Sequence, residues 1–202
     1  MSKMTPVQLG QKLGLPAESI EALRNFKIPE ETAARLKDAF GKGPEAFEAE
    51  ARREENADLL VLALYLRWAM DTHFVYAIRG IDWDIFFDTF RDMTDACVEF
   101  TKQTGKPGLK NWAWIGYAIK MELFRLGKLE FRPNVLNAEL AMDGEVYPAG
   151  TKVLEVYFPV GETLDDETVD DSLAWGKEFF SRYYRQEYEL FLCHSSFYRS
   201  AM

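Results

Sequence analysis

The hydrophobic period of this chain changes once, near Gly127, and that change restricts the possible folds more than any other feature. Before Gly127, apolar residues recur at three- and four-residue spacing, the pattern of helices that bury one face. After it they alternate with polar residues, the pattern of strands that bury one side. The expected architecture is therefore α+β: a helical N-terminal lobe, residues 1–127, packed on a small mixed sheet with one crossover helix, residues 128–202. With 202 residues and about 150 per typical domain, the length suits one domain or two unequal lobes.

Punctuation residues divide the helical part. Thr5-Pro6 reads as an N-cap followed by proline at the first helical position, with Gly14 closing the helix in a left-handed turn. Pro16 opens a helix over Ala17–Phe26 and Pro29 another over Glu30–Phe40, with Gly41 and Gly43 as stops. A long helix is expected from Pro44 to about Arg79, solvated at first and surrounded by protein from Leu59 onward. The next runs from the cap Asp82 through Ile85, Phe86, Met93, Ala96, Cys97 and Phe100 to Gly105, and the last from Asn111 to Leu126. His73, beside Phe74 in the long helix, reads as a hydrogen-bonded structural histidine.

Beyond Gly127, Leu129 and Phe131 face one way and Lys128, Glu130 and Arg132 the other, in a strand expected to stop at Pro133. Leu136, Ala138, Leu140 and Met142 predict a second strand, and Asp143-Gly144 starts a hairpin loop reaching Gly150. Strand Lys152–Phe158 presents Leu154, Val156 and Phe158 on one face and Val153, Glu155 and Tyr157 on the other. Thr163 and Asp166 stand at capping-box spacing before a helix of about Asp166–Tyr184, whose stripe is Val169, Leu173, Gly176, Phe180 and Tyr183. A strand Tyr188–Cys193 completes a βαβ unit whose two strands should be parallel.

Charge excludes several partners. Residues 1–127 carry 17 basic and 19 acidic side chains and residues 128–202 carry 7 and 14, giving a net charge of −9. That sign disfavours nucleic acid and anionic membrane. The longest apolar run, Leu59–Leu66, is far short of the roughly 20 residues of a membrane span. Two cysteines, Cys97 and Cys193, make neither a disulfide framework nor a zinc site, and the first ten residues lack the apolar core of a signal peptide, so a reduced cytoplasmic compartment is expected. The acidic run 162–171 lacks the spacing of a calcium loop, and no metal is expected.

Three runs, LFRLGKLEF (Leu123–Phe131), VYFPVGETLDDETVDDSLAWGKEFF (Val156–Phe180) and YELFLCHSSF (Tyr188–Phe197), together resemble bacterial acyltransferase-domain proteins. These pair an N-acyltransferase N-terminal domain with a GNAT-like C-terminal domain. The resemblance implies acyl-CoA as co-substrate, a small-molecule amine as acceptor, and a further helix and strands after the last strand, so the second domain reads as incomplete. The chain departs from the GNAT pattern where the Gly-rich phosphate loop should lie. Val160–Asp171 offers Gly161 but also Glu162, Asp165, Asp166, Glu167, Asp170 and Asp171, whose charges oppose a polyanion.

Candidate site residues follow. Glu155, ranked first by the resemblance, is a general base or part of a solvated strand face. His194, at the end of a parallel strand, is a base or a structural hydrogen-bonding partner, with Ser195 beside it as a substrate contact. Tyr157 and Gly161 would border the cofactor. Arg125 and Lys128 either meet a phosphate or complement a helix C-terminus. Trp112, with Trp114 and Tyr117, lines an acyl pocket or fills the core. The two functional expectations are acyl-CoA-dependent N-acyl transfer and a non-catalytic GNAT-like interaction module that has lost CoA binding; oligomeric state is not legible.

Overall fold

A computed structural model describes residues 4–142, 144–159, 161, 163–188 and 190–193. Two compact units divide after Met121. The first contains α1 (Pro6–Leu13), α2 (Ala17–Asn25), α3 (Glu30–Lys42), α4 (Pro44–Ala51), α5 (Ala57–Arg79), α6 (Trp83–Thr89), α7 (Arg91–Thr104) and α8 (Trp112–Ile119). Thr5 caps α1 as expected. Its hydroxyl accepts from the Gln8 amide, the Gln8 side chain accepts from the Thr5 amide, and Gly14 closes the helix at φ 81°.

Helix α5 is apolar on every side in its first half because it is the axis of this unit. Leu60, Val61, Leu62, Leu64, Tyr65 and Leu66 are all buried, against α1, α4 and α8 among others. Tyr65 joins an aromatic cluster with Phe40, Phe47 and Trp68, stacks on Phe47 at 5.5 Å, and donates to the Trp112 carbonyl at 2.9 Å. One turn pair further on, Thr72 donates to the Ile119 carbonyl at 2.7 Å, so α8 is tied to α5 at both ends.

Three expected helices are shorter than their sequence patterns suggest. The segment 44–79 breaks between Ala51 and Ala57, where Asn56 takes a left-handed conformation (φ 55°), which asparagine tolerates better than most residues. Arg35 pairs with Glu50 and Glu54 around the break, and Arg52 pairs with Asp58 at 2.9 Å. The helix after Asp82 divides at Phe90 (φ −86°, ψ 3°), whose ring is buried against Phe86. The helix expected to reach Leu126 ends at Ile119. Met121 then takes φ 59° and the chain becomes extended.

His73 corrects another expectation. Among the described residues its neighbours are rings, Trp83 at 4.6 Å and Phe86 at 4.9 Å, and not a hydrogen-bonding partner. Burial, and secondarily the charge of Lys12, holds the imidazole below its ordinary pKa. A folded-state value below the unfolded one means that the unfolded chain binds the proton more tightly. The contribution of His73 is thus fully present above about pH 6.5 and is lost as pH falls toward the folded value. Stability measured by urea unfolding from pH 7 to pH 5 should fall more steeply in the native protein than in His73→Phe, and equal slopes would refute this.

The second unit has β1 (Phe124–Leu126), β2 (Leu129–Val135), β3 (Leu140–Met142), β4 (Glu145–Tyr147), β5 (Lys152–Tyr157), α9 (Asp166–Tyr184) and β6 (Leu190–Cys193). The main sheet has the order β1-β2-β5-β6, with β1/β2 and β2/β5 antiparallel and β5/β6 parallel, as the βαβ reading predicted. Gly127 lies in the turn between β1 and β2, where Leu126 pairs with Leu129 and two residues close the hairpin. Its φ of +66° favours glycine, and an added Cβ would lie 2.5 Å from the Ser172 hydroxyl, which accepts the Lys128 amide.

Pro133 does not end β2. It pairs with Leu154 of β5 beyond the reach of β1, which covers only Leu129–Phe131, so the missing amide hydrogen faces no strand. The expected strand 136–142 is also shorter. β3 begins at Leu140 and pairs with β4 in a separate hairpin that turns through Gly144, so the long loop predicted up to Gly150 contains a strand. The cap of α9 is Asp165, whose carboxylate accepts from the Thr168 amide at 2.8 Å, and not Thr163.

The two faces of the main sheet differ. Phe124, Leu126, Leu129, Phe131, Leu154 and Val156 form an apolar face covered by α9 through Gly176, Phe179 and Phe180. The opposite face is apolar at one end, where Leu136, Val153 and Leu190 bury with Leu140 and Tyr147 of the β3–β4 hairpin. Its other end is polar, and it is buried all the same.

Candidate functional site: a clamped carboxylate in the sheet

The period-two pattern put Glu130, Arg132, Glu155 and Tyr157 on one side of their strands, and the register places them as neighbours. Arg125 stands opposite Glu130, Glu130 opposite Tyr157, and Arg132 opposite Glu155. A solvated face was one reading of this pattern, but the face is closed: Arg125 and Glu130 are 4% exposed, Glu155 7% and Tyr157 8%. Charged groups are buried at such levels only when they are paired.

Glu155 is the centre of this group. Its Oε2 accepts from the Tyr157 hydroxyl at 2.7 Å and from Arg132 Nη1 at 3.3 Å, and its Oε1 accepts from Asn134 Nδ2 at 2.8 Å. Three donors from two strands therefore fix the plane of the carboxylate. Burial first, and the bond to Glu155 next, push the Tyr157 phenol up to about 12, so at neutral pH Tyr157 is a donor whose proton is committed to Glu155. The chemical capacity of the arrangement is that of an oriented carboxylate able to take a proton at a fixed point.

The remaining sequence-derived residues are dispersed. Arg125 lies within β1 on the buried polar face, while Lys128 is exposed in the β1–β2 turn. Gly161 is exposed, with φ +85°. Trp112 is a core residue of the helical unit. It is 4% exposed, donates to the Leu109 carbonyl at 2.5 Å and lies under the Arg52 guanidinium at 3.8 Å. Trp114 donates to Asp92 at 2.7 Å. His194 and Ser195 lie outside the described residues. Cys193 is exposed at the end of β6. Asn134 was missed: a residue following an expected strand-ending proline gives no sign of lying in a ladder.

The α9 N-terminus is the place where a helix would receive a diphosphate. Here the Thr168 amide is already taken by Asp165, whose carboxyl is held below its usual pKa by its bonds to Thr168, and Asp166 and Glu167 occupy the first turn. This helix end does not suit a polyanion. Among the described residues no group of three His, Cys, Asp or Glu is placed to hold a metal ion, and no helix is long and apolar enough to cross a membrane.

A mixed sheet whose parallel pair is bridged by one helix, preceded in the chain by an all-helical unit, is the architecture of GNAT-like acyltransferases. The chain belongs to the family that joins an N-acyltransferase N-terminal domain, matched over residues 4–121, to a GNAT-like C-terminal domain, matched over residues 123–199. Its fold is similar to that of an acyltransferase solved in complex with decanoyl-CoA, at 21% identity and a TM-score of 0.64, covering 89% of this chain and 58% of that one. It is also similar to an acyltransferase mutant in complex with octanoyl-CoA (20% identity, TM-score 0.63, 89% and 57% covered). A third similar structure is an acyltransferase in complex with decanoyl-CoA and teicoplanin (19% identity, TM-score 0.61, 89% and 57% covered). The chain thus spans a little over half the length of these structural neighbours. No curated protein sequence matches it.

Proposed function

We propose that this protein transfers an acyl group from acyl-CoA to an amine, with Glu155 as the general base. The observation that carries the reading is the buried, doubly held Glu155 in the last strand before the crossover helix. Acyl-CoA supplies an activated thioester. The amine nitrogen bonds to the carbonyl carbon, the carbon–sulfur bond breaks, Glu155 takes the amine proton directly or through water, and the departing thiolate is protonated from solvent. Backbone amides beside Tyr157 polarise the thioester carbonyl. Tyr157 itself, committed to Glu155, serves as an orienting donor. His194 is the alternative base, and the small-molecule acceptor is an amine of a class that the fold does not specify.

The self-capped, acidic N-terminus of α9 supports a second reading, a GNAT-like interaction module that does not take CoA. Thermal unfolding separates the two. With CoA or decanoyl-CoA present at 100 times its Kd, a native-state ligand adds about 2.7 kcal/mol and raises Tm by several degrees. A Tm unmoved by CoA, octanoyl-CoA and decanoyl-CoA up to millimolar concentration rejects the transferase reading in favour of the module. Under the transferase reading the diphosphate is held by cations elsewhere than α9, and of the sequence-derived candidates Lys128 is the exposed one, whereas Arg125 is buried opposite Glu130.

A further inference from the structure

Each oxygen of Glu155 is held from a different place: Oε2 by Tyr157 of its own strand and Arg132 of β2, Oε1 by Asn134 of β2. We propose that Asn134 is a positioning residue that locks the Glu155 carboxylate in its working orientation; the catalytic consequence rests on the acyl-transfer reading above.

The amide of Asn134 is itself oriented. Its Oδ1 accepts from the Val135 backbone amide at 2.8 Å, so its other end must present the NH2 group, and that group meets Glu155 Oε1 at 2.8 Å. The local backbone at the end of β2 thus decides that Asn134 is a donor toward β5. A carboxylate held at Oε2 alone pivots about that oxygen, and a second hold at Oε1 stops the pivot. Orientation within a fraction of an ångström is what a base needs in order to meet a bound amine.

The ladder explains how Asn134 comes to be there. Pro133 continues β2 opposite Leu154, so Asn134 pairs with Val153, two residues from Glu155 along β5 and on the same face. Among the described residues, the charged and titratable groups that bond or pair around Glu155 include Arg132 and Tyr157, with Glu130 opposite Tyr157 and Arg125 opposite Glu130. On the β6 side the register partner is the uncharged Leu192. Asn134 adds to this set a donor that carries no charge and does not titrate.

The test uses Asn134→Ala and Asn134→Asp in the full chain, with two readouts. A site-resolved carbon-13 titration of the Glu155 carboxyl should move up in both variants. The rise should be about one pH unit or more in Asn134→Asp, where a second carboxylate replaces the donor, and smaller in Asn134→Ala. In turnover, kcat should fall by up to about 10²-fold with KM for acyl-CoA little changed, and the acidic limb of the pH profile should follow the titration. A midpoint unmoved in folded variants overturns the proposal, whatever their turnover. If Asn134→Asp does not fold, Asn134→Ala carries the same readouts. The titration needs no turnover, so it reads the clamp independently. Full activity of Glu155→Gln would instead reject Glu155 as the base, while an inactive Glu155→Gln beside unaltered Asn134 variants would reject the positioning role alone.

Discussion

Glu155→Gln should lower kcat for thiol release from acyl-CoA by about 10²- to 10⁴-fold, the range expected for loss of a general base. Glutamine matches the shape of glutamate and keeps one acceptor oxygen, but it must turn an NH2 group toward one of the existing donors. Turned toward Asn134, it meets an amide that cannot reverse, because Oδ1 of Asn134 is engaged by Val135. Turned the other way, it meets the Tyr157 hydroxyl and the Arg132 guanidinium. A buried mismatch of this kind costs about 1–3 kcal/mol, so the variant should be less stable but folded. Activity must therefore be normalised to the folded fraction, measured by near-ultraviolet circular dichroism on the assayed sample. Turnover within about threefold of the native protein after that correction would remove Glu155 from the reaction and leave His194→Ala as the decisive variant.

The part of this site that was legible in the sequence is the part governed by alternation. Val153, Glu155 and Tyr157 had to share a face because strand side chains alternate, and the Tyr157–Glu155 hydrogen bond at 2.7 Å is the direct result. Alternation does not say whether a face is covered. The face of Glu155 could be read as solvated because charges usually are, yet Glu155 is buried, and Glu130 with it, among cross-strand partners that only the register identifies. Asn134 was hidden by a general rule with an exception. Proline stops strands when its nitrogen must donate, and β1 is too short to require that at Pro133.

The same contrast runs through the rest of the fold. Helix starts and stops set by Thr5, Gly14 and the crossover β5–α9–β6 depend on local capping and period, and they were readable. The breaks at Asn56 and Phe90 were not, because uninterrupted helical spacing runs across both. At Phe90 the ring packs against Phe86 where the helix divides, and at Asn56 a left-handed residue stands just before α5, the axis of the unit. Gly127, where the period changes, is a hairpin turn within the second unit. The change was detected there because Phe124-Arg125-Leu126 is too short a strand to show alternation by itself.

Phe131→Ala should destabilise the second unit by about 3–5 kcal/mol. Phe131 is fully buried in β2, central on the apolar face, and paired with Phe124 of β1 and Val156 of β5. The ring lies against the backbone of α9 at Gly176, where an added Cβ would come within 2.8 Å of Phe131 Cε1. Glycine at this point lets the helix approach closely enough for the ring to fill the space beneath it. Removing the ring leaves a void that Gly176 has no side chain to occupy, and Phe179 and Phe180 are already engaged with Phe124, so little collapse is available. Phe131→Leu keeps most of the volume and should cost much less. Urea unfolding, with hydrogen exchange of the β2 and β5 amides to assign the loss to this unit, measures both variants. A loss below about 1 kcal/mol for the alanine variant would mean that α9 does not close on Phe131. It would also remove the support on which the opposite, polar face of the same strand holds Glu155.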